Sequence, residues 1–177
     1  MKRKVTKSKS KKSKKSFLKR INFNVMFLCV VAVYAAAVIG GFFTSQNVET
    51  IWYQKIKPYI TPPDWVFTLV WNVLFVLIAL SLYFVWIKAG KDKKQKRKIA
   101  IVYAINLFLN VLWVFLFFIV RSPEAAMVEL IVFWISILYM IMFVHKIDKK
   151  VGFFLAPYAI WVAYAAMINA IIILFPK

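Results

Sequence analysis

Acidic side chains are scarce in this chain, with six Asp and Glu against 25 Lys and Arg in 177 residues, and there is one histidine and one cysteine. The scarcity excludes much chemistry. No carboxylates pair at helical spacing, and one His with one Cys makes neither a metal site nor a hydrolytic triad. Cys29 excludes an intrachain disulfide, and a lone buried thiol behaves as a small hydrophobe. The redox compartment is left undetermined. Charge is also missing from the middle of five long apolar runs, none of which contains Lys or Arg. Strict apolar and polar alternation, the mark of a membrane β-barrel, is absent too.

What is present is apolar surface. The chain is 63% hydrophobic and 18% aromatic, with mean hydropathy +0.75, whereas soluble domains are roughly half apolar. The runs 25–43, 65–87, 99–120, 125–144 and 151–175 each approach the roughly 20 residues that cross a hydrocarbon core. Their connectors are too short for a soluble domain. An all-α integral membrane protein follows, a bundle of five antiparallel neighbouring helices over 21–177 preceded by a basic tail over 1–20.

The net charge of +19 suggests nucleic acid until the basic residues are placed. Eleven lie in 1–20, seven in 88–98 and three in 146–150. These clusters occupy alternate connectors and therefore one side, which the positive-inside rule makes cytoplasmic, with the C-terminus outside. The expected membrane is the plasma membrane of a bacterium. Ala35-Ala36-Ala37 offers a signal-peptide cleavage alternative, but the apolar run continues through Gly40-Gly41-Phe42-Phe43 and suits a retained span. The Lys/Ser tail is too charged to pack and is expected to lie disordered against anionic lipid. No stacking aromatic is interleaved before Phe17, so no nucleic-acid partner is expected.

Two helix starts are written on the outer side. Thr61-Pro62-Pro63-Asp64 reads as an N-cap hydroxyl, first-turn prolines and a capping-box carboxylate, and Ser122-Pro123-Glu124 repeats the logic. Asp64 and Glu124 are thus structural first. Glu129, within the fourth run, is expected to reach the interface, and His145 to be interfacial. Asn106, Asn110 and Trp113 share one face of the third run at i, i+4 and i+7, as do Trp161, Ala165 and Ile168 in the fifth. Trp65, Trp71 and Asn72 open the second. The amides serve either as interhelical glue or as ligand contacts, and the indoles either as an interfacial belt or as pocket lining. Position alone favours the belt for Trp52 and Trp65. Ala32, Ala36 and Gly40, with Ala37 and Gly41, read as close-packing surfaces, and Ala100 with Ala104 as a dimer seam or a contact within the monomer.

The phrase Trp52-Tyr53…Lys57-Pro58…Pro62-Pro63-Asp64-Trp65-Val66-Phe67…Val70-Trp71 is too ordered for membrane filler. It is followed by Tyr83…Val85-Trp86, Leu109-Asn110…Trp113…Phe117-Phe118…Arg121-Ser122-Pro123 and Pro157-Tyr158…Trp161…Ala165-Ala166…Asn169. In order and spacing this series resembles the TspO/MBR family, the tryptophan-rich sensory proteins related to the translocator protein or peripheral benzodiazepine receptor. The resemblance implies a five-helix bundle, often dimeric, whose pocket accepts porphyrins, haem and hydrophobic drug-like ligands and needs no cofactor. It also implies pocket residues Trp65, Asn110, Trp113, Trp161, Ala165 and Ile168, covered by a loop carrying Trp52 and Tyr53. Two departures stand out. Relatives often carry proline two residues after Trp113, where this chain has Phe115, which is expected to fill pocket space. Ile168 to Phe175 also lacks the Tyr then Lys/Arg of the animal cholesterol-recognition pattern.

Three functions compete. The first is a membrane receptor or carrier for tetrapyrroles, acting in stress or tetrapyrrole regulation. The second is light- and oxygen-dependent porphyrin breakdown, with Trp65 and Trp161 as photochemical candidates. The third is a small transporter or scaffold unrelated to porphyrin, although no charged pair or discontinuous span favours an ion-coupled carrier.

Overall fold

Backbone groups in hydrocarbon must be satisfied within their own segment, so apolar runs of this length become helices. The computed structural model describes residues 22–176; the basic tail and Lys177 lie outside them. Helices α1 (Phe23–Ser45), α2 (Ile51–Ile56), α3 (Asp64–Lys88) and α4 (Lys93–Val114) come first. They are followed by α5 (Pro123–Ile147), α6 (Lys149–Phe153) and α7 (Ala156–Leu174). Five helical segments are long and apolar enough to cross a membrane, with α6 and α7 together forming the fifth. The protein is an integral membrane protein.

Local chemistry sets the helix ends. The side chains of Asn22, Thr50, Asp92 and Ser122 each accept a hydrogen bond from a first-turn N–H, satisfying a donor the helix leaves open. Ser122 caps α5 as its motif predicts. Thr61 does not cap α3. The residue before a proline is driven out of the helical region, so Pro62-Pro63 hold the chain extended and α3 begins only at Asp64. Asp64 pairs instead with Lys57 at 2.9 Å, tying the loop to the helix start. Gly90, at φ 55°, closes α3 in the left-handed conformation that glycine adopts without strain.

Pro157 explains why the fifth run is not one continuous helix. It sits in the first turn of α7, after a break at Phe154 and Leu155. The α5–α6 corner is tight. A Cβ on Gly152 would lie 3.1 Å from the Cβ of His145, so a larger residue would push this corner apart by a few tenths of an ångström. On the same side Asp148 caps α6 and accepts from Lys88 Nζ at 2.9 Å.

The helices close into a ring in the order α1, α4, α5, α7, α3. Helix α1 packs against both α3 and α4, α4 against α5, and α5 against α7. Ring contacts between Phe67 and Trp161, and between Trp71 and Tyr158, close α3 onto α7. The parallel pair α1 and α4 is therefore in contact, which a simple succession of antiparallel neighbours does not provide. Tyr103, Tyr158, Phe133, Leu74 and Ile78 are among the fully buried side chains at the centre.

Past Val114, α4 widens into a π-helical turn over Phe115–Ile119, where Val120 N–H donates to the Phe115 carbonyl at 3.0 Å. The irregularity arises without a proline. It turns Phe117 and Phe118 inward. Phe115 does not fill pocket space as its sequence position suggested; it is 40% exposed and meets Phe43 of α1 edge-on.

Candidate ligand cavity

A cavity of about 520 Å³ lies among α1, α3 and α4 under the α1–α3 connector. Its floor and walls are aromatic. Phe67, Trp71 and Phe75 recur at i, i+4 and i+8 on α3, Trp113 and Phe118 face them from α4, and Tyr34 and Tyr53 complete the ring. Small residues of α1 provide the room. Ala37, Gly40 and Gly41 line the space, and a Cβ on Gly41 would meet nothing within 4 Å. The sequence reading assigned Ala37 and Gly41 to helix packing; here they open volume, while Ala36 and Gly40 are buried.

Polar groups are few and placed at the edges. Asp64, Thr68 and Asn72 on α3 and Ser45 on α1 are exposed lining residues, so the opening lies along the gap between these two helices, with Glu49 of the connector at its outer end. Three polar atoms point elsewhere. Thr61 Oγ1, Asn110 Nδ2 and Trp113 Nε1 are buried, belong to lining residues and have no hydrogen-bond partner in the protein. A ligand acceptor would satisfy such donors.

Tyr53 and Trp52 seat α2 on the widened end of α4. Tyr53 meets Phe118 at 5.4 Å and Phe117 at 6.3 Å, and Trp52 meets Phe117 at 5.8 Å. The Arg121 guanidinium lies 5.8 Å from the Trp52 ring. Arg121 takes a φ of 57° in the α4–α5 turn. Burial, helped by the charge of Asp64, pushes the Tyr53 phenol up to about 12. It is therefore a neutral donor at the cavity roof.

Among the sequence-derived candidates, Asn110, Trp113 and Tyr53 line the cavity, and Trp52 packs behind Tyr53. The rest lie elsewhere. Trp65 is 68% exposed on the face of α3 turned away from Phe67 and Trp71. Trp161 is separated from the cavity by Phe67, which it meets at 5.7 Å between ring centres; on α7 Ala165 is buried and Ile168 packs against the core. Helix α7 contributes nothing to the lining. Trp65 and Trp161 do not wall this cavity, because the ring order sets α3 between α7 and the space. The aromatic stripe on α3 and the small residues of α1 are the signals that could have found the wall.

Asn106 is not a wall residue. It donates to Ser136 Oγ at 2.9 Å and accepts from the Tyr158 hydroxyl at 3.0 Å, joining α4, α5 and α7. The glue reading holds for it. Glu129, expected to reach the interface, is 6% exposed with no partner on either oxygen. Among the described residues no three His, Cys, Asp or Glu converge as metal ligands.

The TspO/MBR family profile matches residues 28–174, nearly the whole helical region. The chain belongs to the TspO/MBR family. It is 33% identical over 151 residues to the tryptophan-rich protein TspO of Archaeoglobus fulgidus, covering 84% of this chain and 95% of that protein. A tryptophan-rich protein TspO from Chlorobaculum tepidum is 31% identical, over 80% of this chain and 89% of its own. The translocator protein of Bos taurus is 30% identical, over 74% of this chain and 80% of its own. The TspO/MBR relationship thus extends over all five spans, and with it the connector that roofs the cavity.

Proposed function

We propose that the chain is a membrane receptor or carrier that binds porphyrins and similar flat hydrophobic ligands in the cavity among α1, α3 and α4. The observation that carries this reading is an aromatic space of about 520 Å³, open along the α1–α3 gap, with buried, unpartnered donors on Asn110 and Trp113. Its volume lies within the roughly 300–1,000 Å³ of small-molecule sites. Flat rings against Trp71, Phe75 and Trp113 gain area and stacking, and the two donors orient a ligand acceptor.

The test is titration of the purified protein in detergent with protoporphyrin, haem and a coproporphyrin, read by tryptophan quenching. Saturable quenching by at least one, lost when Trp113 and Trp71 are both replaced by Phe, is the expected result. Quenching that never saturates, or that survives the double replacement unchanged, overturns it.

A second reading, porphyrin photo-oxidation, rests on the indoles of Trp71 and Trp113 at the lining, where bound porphyrin would supply the photochemistry. Illumination of the saturated complex in air separates the two. Conversion that requires these indoles supports breakdown, and unchanged porphyrin supports binding alone.

We also propose that the chain lies in a bacterial plasma membrane with 88–98 in the cytoplasm and the α1–α3 connector outside. The seven basic residues of 88–98 support this orientation. In a Cys29→Ala background, Lys55→Cys should react with an impermeant thiol reagent in intact cells and Lys93→Cys should not. The opposite pattern inverts the topology.

A further inference from the structure

Behind the cavity wall lies a carboxyl that the binding reading does not use. Glu129 sits on α5, nine-tenths buried, and neither of its oxygens has a hydrogen-bond partner in the protein. Helix register locates it. Asn106 of α4 bonds to Ser136 of α5, and these helices run antiparallel. Seven residues onward along α4 is Trp113, and seven back along α5 is Glu129. Seven residues are close to two turns, roughly 10.5 Å of rise, so each step returns to the same helix face. Glu129 is therefore level with Trp113, on the side of α5 that faces α4.

The polar groups around it converge from three helices. Trp113 Nε1 and Asn110 Nδ2 of α4 are buried donors without partners, on residues that also line the cavity. Tyr158 of α7, fully buried, donates its proton to the Asn106 oxygen at 3.0 Å. No basic group faces this cluster among the described residues of the packed elements. The basic residues of α4 and α6 are at the far membrane side, as are His145 and Lys146 of α5, and Arg121 after the π turn is held over Trp52. On the outer side, Glu124 begins α5, and Asp64 of α3 pairs with Lys57. Glu49, Tyr53 and Asp64 face the cavity.

We propose that Glu129 is a proton site linked to cavity occupancy, protonated when an apolar ligand fills the cavity and able to release its proton when the cavity opens to water. The proposal rests on the reading of the cavity as a ligand site. A carboxylate with no counter-charge needs solvent nearby, and a ligand that displaces water from beside Trp113 and Asn110 removes it. The neutral acid suits the dry cluster, because it carries no charge that needs a counter-ion or solvent. The proton comes from bulk water through the open cavity and resides on a Glu129 oxygen. No bond to the ligand forms and nothing is oxidised or reduced.

The test uses an octaalkylporphyrin, whose substituents carry no ionisable group, titrated into the full chain in detergent across about pH 6 to 9, with calorimetry in two buffers of different ionisation enthalpy. Affinity should fall with rising pH, approaching tenfold per unit at the steepest, with uptake of up to about one proton on binding. E129Q should bind with a flat pH profile and no proton uptake, while E49Q, D64N and Y53F keep the slope. A pH-independent wild type, a slope retained in E129Q, or a slope abolished by E49Q, D64N or Y53F would overturn the linkage. If E129Q fails to fold, proton uptake by the wild type together with the three cavity variants still decides. Absence of saturable binding at every pH overturns the cavity reading itself, a separate failure.

Discussion

The two membrane halves of this bundle are built differently. Toward the basic connectors, polar side chains are partnered: Ser81 and Tyr103 share a 2.7 Å hydrogen bond, and Ile78, Ile99, Met140, Val144 and Leu155 are fully buried around them. Toward the α1–α3 connector, Asn110, Trp113, Trp161, Glu129 and Asn169 each leave a buried polar atom without a protein partner, and α4 loosens into a π turn. An unmade hydrogen bond in a dry interior is costly. The contrast teaches that the half toward the basic connectors is arranged for stability and the half toward the α1–α3 connector for something that completes it.

The largest expected effect sharpens that contrast. Ile78→Ala should destabilise the protein by about 2–5 kcal/mol, because it leaves a void in a filled region. Phe67→Ala should cost distinctly less, since that ring already borders open space, and should enlarge the cavity. Thermal melts in detergent compare the two, and equal losses would erase the distinction between halves. Next in size, Trp113→Phe should weaken porphyrin binding by about 1 kcal/mol through loss of one donor. Trp65→Phe and Trp161→Phe should leave it unchanged. Quenching titrations of the three variants read this, and a loss confined to Trp65 or Trp161 would move the site to the other face of α3.

Two smaller effects concern pH. The Tyr53 phenol is raised to about 12 by burial, so its neutral form is favoured in the fold. Its contribution is present in full below the ordinary phenol range near 10 and fades as pH rises through 12. Y53F should remove one late-titrating phenol from the phenolate absorbance curve and flatten alkaline destabilisation. The smallest effect belongs to the α5–α6 corner. The hydrogen bond from Lys88, then those from the backbone of α6, hold Asp148 below its usual value. Its contribution is present above the ordinary Asp range and lost as pH falls through the lowered value. Asp148→Asn should lower the melting temperature slightly at neutral pH and not at acid pH, and a loss persisting in acid would show that capping rather than charge is at work.

The five spans and the Ser122 cap were legible because each depends on local chemistry, whereas Asn106 was left between glue and ligand contact until its bonds to Ser136 and Tyr158 placed it as glue. Thr61 misled because a capping motif does not reveal that two successive prolines postpone the helix. Ala37 and Gly41 misled because a small residue permits either close packing or empty space, and only the position of the neighbouring helix chooses. Trp65 lies outside this cavity for a related reason. An aromatic motif names residues without saying which side of the helix faces in, and the stripe Phe67, Trp71, Phe75 lies on the opposite face.

Length and hydropathy by themselves determined that the protein spans a membrane five times, since hydrocarbon permits little else to an apolar run without internal charge. Motif order determined the family. The tertiary structure decided which helices meet: the ring order carries α3 between α7 and the cavity, brings the parallel pair α1 and α4 together, and buries Glu129 among them. Those outcomes depend on contacts between residues distant in the chain, and periodicity within one helix carries no record of its neighbours.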